Sequence, residues 1–193
     1  VNAAGLVIGL TNRRVHEKQE NDPQRRSRGL LCLEALQCRT VDEAAAFLHS
    51  EPPERYNPFN LLIMDQQQLL WAAYDDKPCL YRLEPGLHIL ANGNLNDFDT
   101  VRLRRARGLL SVTTQTEFVH CLPLLEQVCR DHESGVQERE TICMHREHER
   151  YGTVSSTILA LTPDWRGSVY RYAPGHPCDT PYGDYSSLLA PRS

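Results

Sequence analysis

YNPFNLLIMD (residues 56–65), LLWAAYD (69–75), CLYRLE (79–84) and PGLHILANG (85–93) are four short apolar runs with turn residues between them. In the first run Phe59, Leu61 and Ile63 fall on one face of a strand, and Leu62 and Met64 fall on the other. A strand with one wet face alternates apolar and polar residues, so a run that is apolar on both faces needs cover on both. Asp65 with three glutamines, the stretch 75–78 (DDKP) and Pro85-Gly86 supply the turns. The pattern predicts a four-stranded antiparallel meander over 56–92, with helices on one side and a second sheet on the other.

The runs to either side supply those layers. Residues 4–11 (AGLVIGLT) read as a strand with Leu6, Ile8 and Leu10 on one face. Ser27 is a helix N-cap for residues 28–39, with Leu30, Leu33 and Leu36 as the expected buried stripe. Thr40 and Glu43 have capping-box spacing and open a second helix through His49, which Pro52-Pro53 ends. Asp97 or Asp99 caps a helix through Leu110, with Leu103, Ala106 and Leu110 inward and Arg102, Arg104, Arg105 and Arg107 making it basic. A second capping box, 114–117 (TQTE), precedes a helix carrying Phe118, Leu122, Leu125 and Val128, with Pro123 kinking it or marking its first turn. Residues 131–135 are a loop. Strands follow over 140–145, 151–161 and 167–173, the last two joined as a hairpin, and a Pro- and Gly-rich tail wraps a surface.

A chain of 193 residues is long enough for one domain that buries about 70% of its unfolded surface. Hydrophobic residues make up 40% and charged residues 24%, the balance of a globular protein rather than a disordered one. No apolar run reaches the ~20 residues of a membrane span, and a net charge of -4 argues against a nucleic-acid coat. The 7 cysteines form no CxxC pair and no zinc-ribbon spacing, and most sit in apolar segments. This predicts small buried hydrophobes in a reducing cytoplasm, with no disulfide framework and no bound cofactor or metal.

Three stretches together carry a family resemblance: GLVIGLTNRR with SRG at 27–29, YNPFNLLIMD through PGLHILANG, and YGTVSSTILAL at 151–161. Their order and spacing resemble the NRDE family, also called the transport and Golgi organisation protein 2 family, over residues 5–172. The resemblance implies an N-terminal-nucleophile-hydrolase-like α+β fold, an αββα sandwich of two antiparallel sheets. In such enzymes an N-terminal Cys thiolate attacks an amide or ester carbonyl, and its own amine is the general base. This chain carries neither that Cys nor the Asn-Arg-Asp-Glu motif of the family; Asn12-Arg13-Arg14 matches a later position. The expectation is therefore a single partial family domain over 1–193 that lacks its first strands, against the alternative of a domain that simply begins on a strand. Loss of those strands would leave an unpaired edge beside residues 4–11.

The resemblance also implies site residues. Asn12 and Asn92 match positions that help stabilise the oxyanion in related hydrolases, and they are the candidate catalytic pair. Arg28 is a candidate for holding a carboxylate or phosphate by its planar fork, and Thr153, Ser155 and Ser156 are candidate ligand contacts beside the same cleft. The plain alternatives are that both asparagines are turn residues and that Arg28 is solvated. The arginines at 102–107 are a solvated face or an anion site for coenzyme A phosphates. Cys143, His145 and His148 are a metal or haem ligand set or part of an exposed charged loop, and His88 is a half-buried strand residue. Two function classes remain: a hydrolase of amide or thioester bonds when full length, and a non-enzymatic carrier of a small molecule such as haem or acyl-CoA linked to trafficking and Golgi organisation.

Overall fold

The computed structural model describes residues 1–15, 21–111, 118–132, 140–162 and 165–189. The chain is α+β, with antiparallel sheets and α-helices in two units, Val1–Asp97 and Phe98–Ser193.

In the first unit, β1 (Val7–Asn12), β2 (Phe59–Met64), β3 (Leu69–Tyr74) and β4 (Pro78–Arg82) form one antiparallel sheet in the order β1-β2-β3-β4. Three of the four strands read from the meander are present, and the hairpins turn where expected. The Asp65 carboxylate accepts the backbone N–H groups of Gln67 and Gln68 at 2.8 and 2.9 Å. The fourth partner is β1, not residues 85–93. Register places Asn12 opposite Phe59 and Val7 opposite Met64. Among the described residues β1 pairs with β2 alone and so forms one edge of the sheet.

The stretch 85–97 is irregular backbone. Its polar groups are satisfied by side chains rather than by a ladder: the Asn96 amide oxygen accepts the Ile89 N–H at 2.9 Å, and Asn96 holds a left-handed φ of 56° that asparagine tolerates. His88, expected in a strand, instead lies in this loop, half-buried, with Nε2 2.8 Å from the Glu84 carbonyl.

Helices α1 (Arg28–Ala35) and α2 (Val41–Ser50) cover one face of the sheet. Both caps form as read: Ser27 Oγ accepts the Gly29 N–H at 3.2 Å and Thr40 Oγ1 accepts the Glu43 N–H at 3.1 Å. The Glu43 carboxylate reaches back to the Arg39 N–H, one residue before the position the capping box predicts. The stripe on α1 differs from expectation. Leu31 and Ala35 are buried, while Leu30 and Leu33 are 47% and 61% exposed. RGLLCLEA carries apolar residues on every face, so spacing alone does not choose the stripe; contact with the sheet does. The core joins Leu31, Val41, Ala44 and Leu48 to Phe59, Leu61, Ile63, Leu70, Ala72 and Tyr74. Within it Phe59 stacks on Tyr74 at 4.6 Å and Tyr56 meets both rings edge-on. The opposite sheet face carries Leu62, Met64, Leu69 and Trp71, all half-buried.

In the second unit, α3 (Val101–Leu110) is preceded by Thr100 as N-cap, with no side-chain cap bond, so neither Asp97 nor Asp99 caps it. Leu103 and Ala106 are buried as read. Helix α4 (Phe118–Arg130) contains Pro123 beyond its first turn; the capping box at 114–117 and the turn residues Pro163 and Asp164 lie outside the described residues.

The strand expected over 140–145 is reduced to β5 (His145–Arg146), and the strand over 151–161 is split into β6 (Tyr151–Gly152) and β7 (Ser156–Ala160). β5 pairs with β6, while β7 pairs with β8 (Val169–Ala173) as the expected hairpin. β6 lies close against its partner at Gly152, where a Cβ would lie 2.6 Å from the Met144 carbonyl oxygen. The tail does more than wrap a surface: β9 (Gly183–Asp184) extends the sheet beside β8, and Tyr182 and Leu189 are buried. Among the described residues the core cluster here is smaller, with Ile158, Ala173 and Tyr182 buried against Leu122, Leu125 and Cys129.

Candidate functional site

At the end of β1 the chain ties a polar knot inside an apolar sheet. Asn60, fully buried in β2, interrupts the run FNLLIM. Its amide oxygen accepts Trp71 Nε1 at 3.2 Å and Arg13 Nη1 at 3.3 Å, and its Nδ2 donates to the Gly93 carbonyl at 2.9 Å. Arg13 spreads its fork over Asp75 at 2.8 Å, the Gly93 carbonyl at 3.1 Å and Asn94 at 2.9 Å. Thr11 Oγ1 donates to the Ala91 carbonyl at 2.7 Å. The bonds to Ala91, Gly93 and Asn94 fix the 91–94 loop against the strand ends, and a buried network of this kind stabilises only when its members are satisfied. Asn60 and Arg13 escaped the sequence reading; the legible signal was a lone amide in an apolar strand.

The knot brings the two candidate asparagines together. Asn92 Nδ2 donates to the Asn12 carbonyl at 2.8 Å, and the Asn92 carbonyl accepts the Arg14 N–H at 2.7 Å. Asn12 is exposed at the end of β1 and lines an open cavity of about 410 Å³ with Leu10, Arg25, Arg28, Gly29 and Asn57. One wall is a turn pinned by Asn57, whose amide exchanges two hydrogen bonds of 2.8 Å with the Asp22 backbone.

Three arginines stand at this wall in different states. Arg26 is consumed by a two-pronged pair with Glu34 and a bond to the Tyr56 hydroxyl, and this pairing holds the Glu34 carboxyl below its ordinary range. Arg25 donates to the Tyr56 carbonyl at 2.9 Å and lies 3.9 Å from Asp22. Arg28 donates one bond, to the Pro58 carbonyl at 2.9 Å, and among the described residues no carboxylate pairs with it. Burial pulls its pKa below the ordinary arginine value. A half-buried guanidinium keeps its charge, so the desolvation is a cost that an anion in the cavity would offset. Among its described lining residues the cavity has no cysteine.

The other candidate residues are in the second unit. Thr153 Oγ1 accepts the Met144 N–H at 3.0 Å, and Ser156 Oγ accepts the Tyr182 hydroxyl at 2.6 Å, so both have structural partners. Ser155 is half-buried in the bend before β7. The arginines of α3 are largely engaged: Arg105 forms a two-pronged pair with Asp131 at 2.7 and 3.2 Å, and Arg107 lies 4.4 Å over the Phe98 ring.

Of Cys143, His145 and His148, the structure keeps the first two together and separates the third. Cys143 is fully buried with Sγ 3.4 Å from His145 Nε2, while the His148 side chain is 66% exposed beside Glu149. His132 and Cys178 join instead, from residues remote in sequence. His145 Nε2 is 3.1 Å from Cys178 Sγ, and a cavity of about 340 Å³ is lined by His132, Thr141, Cys143 and His145. Burial, then the neighbouring Cys178 and Asp179, push the Cys143 thiol up to about 11. The Cys143-x-His145 pair was legible in sequence; its partners were not.

No curated protein matches the chain. The family model described as Transport and Golgi organisation 2 matches residues 1–171, which span the first unit and most of the second. That match covers well over half of the chain, so the chain belongs to the transport and Golgi organisation 2 family.

Proposed function

We propose that this chain is a ligand-binding member of its family with an N-terminal-nucleophile-hydrolase-like fold, and that it takes the anionic end of an acyl or tetrapyrrole ligand in the Asn12–Arg28 cavity. The ligand class is an acyl-CoA or haem, both of which present phosphate or carboxylate groups. The observation that carries this reading is Arg28, half-buried at the cavity wall with one carbonyl acceptor and no carboxylate partner among the described residues. Asn12 and the amide at Asn92 would orient the ligand's carbonyl. A cytoplasmic place of action is supported by 7 free cysteines. Among the described residues no helix is long and apolar enough to cross a membrane.

Calorimetric titration with a long-chain acyl-CoA and with haemin tests the reading. Saturable binding is expected for one of them, with Arg28→Ala weakening it roughly 10- to 100-fold, as loss of a charge-assisted hydrogen bond implies. Equal affinity in the variant would remove the cavity from consideration.

Hydrolysis of an amide or thioester is the second reading, favoured by the bond that holds Asn92 against the Asn12 end of β1. It requires release of free acid from an acyl-CoA on prolonged incubation with catalytic protein. Stoichiometric binding without release would exclude it for this chain.

A further inference from the structure

The second unit gathers four soft donors at one point. The ligand atoms of His132, Cys143, His145 and Cys178 all lie within 4.8 Å of one another. Two of the edges are 3.4 Å (Cys143 Sγ to His145 Nε2) and 3.1 Å (His145 Nε2 to Cys178 Sγ). A tetrahedral zinc ion with sulfur at ~2.3 Å and nitrogen at ~2.0–2.1 Å spaces its ligand atoms about 3.3–3.8 Å apart. The 3.4 Å edge falls in that range and the 3.1 Å edge just below it, and the 4.8 Å bound on the rest asks for a contraction of about 1 Å at most when an ion enters.

The surrounding backbone holds these donors in place from three directions. The Cys143 N–H donates to the Asp131 carbonyl at 2.8 Å, which fixes Cys143 beside His132 at the end of α4. Gly152 allows β6 to approach Met144, next to His145 in β5. Cys178 sits in a turn closed by the Thr180 N–H on the His176 carbonyl at 2.8 Å, and at Gly175 a Cβ would lie 2.4 Å from Thr180 Oγ1. The His176 ring lies 4.0 Å from the His145 ring, and His176 Nδ1 is buried with no hydrogen-bond partner among the described residues. Cys143, His145 and Cys178 thus come from positions tied by backbone contacts, and the exposed His132 follows the anchored Asp131 with its ring 5.7 Å from that of His145.

We infer that His132, Cys143, His145 and Cys178 bind a single zinc ion as a closed Cys2His2 site that clips the end of α4, β5 and the turn after β8 together. The donor set decides the metal class. Two thiols and two imidazoles suit zinc, whereas calcium and magnesium take oxygen ligands. Haem iron leaves one or two axial positions for protein groups, so a compact set of four does not serve it. A two-iron cluster would place two ligands on each iron with sulfides between, and atoms within 4.8 Å of one another leave no room for that. With four protein ligands no position remains open for water, so the ion is structural. Binding releases the two thiol protons to solvent as the thiolates coordinate. Cys178 lies beyond the 1–171 region shared with the family model.

The full chain, purified under reducing conditions without chelator, is assayed by elemental mass spectrometry and after exchange with cobalt(II). About one zinc per chain is expected. The cobalt form should show thiolate-to-cobalt charge transfer in the near ultraviolet and the strong visible bands of tetrahedral cobalt. Cys143→Ser and Cys178→Ser should each abolish stoichiometric metal, while Cys32→Ser in the first unit should retain it. Metal-free protein without the cobalt charge-transfer band, metal retained in both serine variants, or a Cys143–Cys178 disulfide in folded protein would each overturn the assignment. If the serine variants do not fold, zinc titration of wild-type apoprotein against a chromophoric chelator decides. A one-to-one endpoint supports the site and no endpoint rejects it.

Discussion

The two units solve the problem of stability with different chemistry. Val1–Asp97 buries Phe59, Tyr74, Tyr56 and a layer of Leu, Ile and Val between a four-stranded sheet and two helices. Among the described residues the second unit buries a cluster of Ile158, Ala173 and Tyr182 against α4, with Leu103, Ala106, Val128, Met144 and Leu189 buried outside that cluster, and its sheets have two and three strands. Apolar burial contributes roughly 25 cal/mol per Å², so the first unit has ample means to be held by its core. The second adds polar ties of its own, Arg105 on Asp131 and Arg171 on Glu126 at 3.2 Å, and a His and Cys cluster that the first unit lacks among the described residues. A small core is where a metal clip adds most, because binding free energy becomes folding free energy. The first unit leaves the half-buried Arg28 without a carboxylate partner among the described residues.

Truncations of matched core positions sharpen this contrast most. Ile63→Ala should cost about 4–5 kcal/mol in chemical denaturation, the upper part of the range for a buried aliphatic in a packed core. Ile158→Ala should cost about 2–3 kcal/mol, nearer the low end for a buried aliphatic with fewer neighbours. Equal losses at the two positions would erase the distinction drawn between the cores.

A smaller effect comes from Tyr56, whose hydroxyl donates to Glu51 at 2.5 Å and accepts from Arg26 at 3.0 Å. Burial, then the Glu51 carboxylate, push its pKa up to about 12. Unfolded tyrosine titrates near 10. Between about pH 10 and 12 the folded state keeps a proton that the unfolded state has lost, so stability falls as pH rises through that window. Tyr56→Phe should cost about 1–2 kcal/mol at neutral pH and flatten the alkaline loss. Denaturation midpoints at pH 8 and pH 11 read both; an unchanged alkaline slope would dissociate Tyr56 from it.

The least effect is expected on the outer face of α1. Leu33 is 61% exposed, so Leu33→Ser should shift stability by no more than about 0.5 kcal/mol. A loss of 2 kcal/mol or more in thermal denaturation, the scale of a buried leucine, would restore the stripe that the sequence suggested.

That stripe illustrates which features a sequence exposes. The hairpins of β2, β3 and β4 and the caps at Ser27 and Thr40 were legible, because alternation and capping act over a few residues. The choice between Leu30-Leu33 and Leu31-Ala35 was not, since RGLLCLEA is apolar on several faces and the sheet decides which is inward. Residues 87–90 alternate like a strand, yet Asn60, Arg13 and Asn96 tie the segment that contains them down as a loop through contacts remote in sequence. Asn12, Asn92 and Arg28 were found through family likeness, and the structure brings Asn12 and Arg28 to one cavity. The metal-type cluster was half legible: Cys143 and His145 stand two apart, but His132 and Cys178 reach them only through the paths of α4 and the tail.

The cavity reading is tested most directly by hydrogen–deuterium exchange on the full chain, free and saturated with whichever of long-chain acyl-CoA or haemin binds. The account predicts that slowed exchange concentrates in residues 21–29 and at the Asn12 end of β1. Protection confined to residues 98–189, or no binding of either ligand, would contradict it.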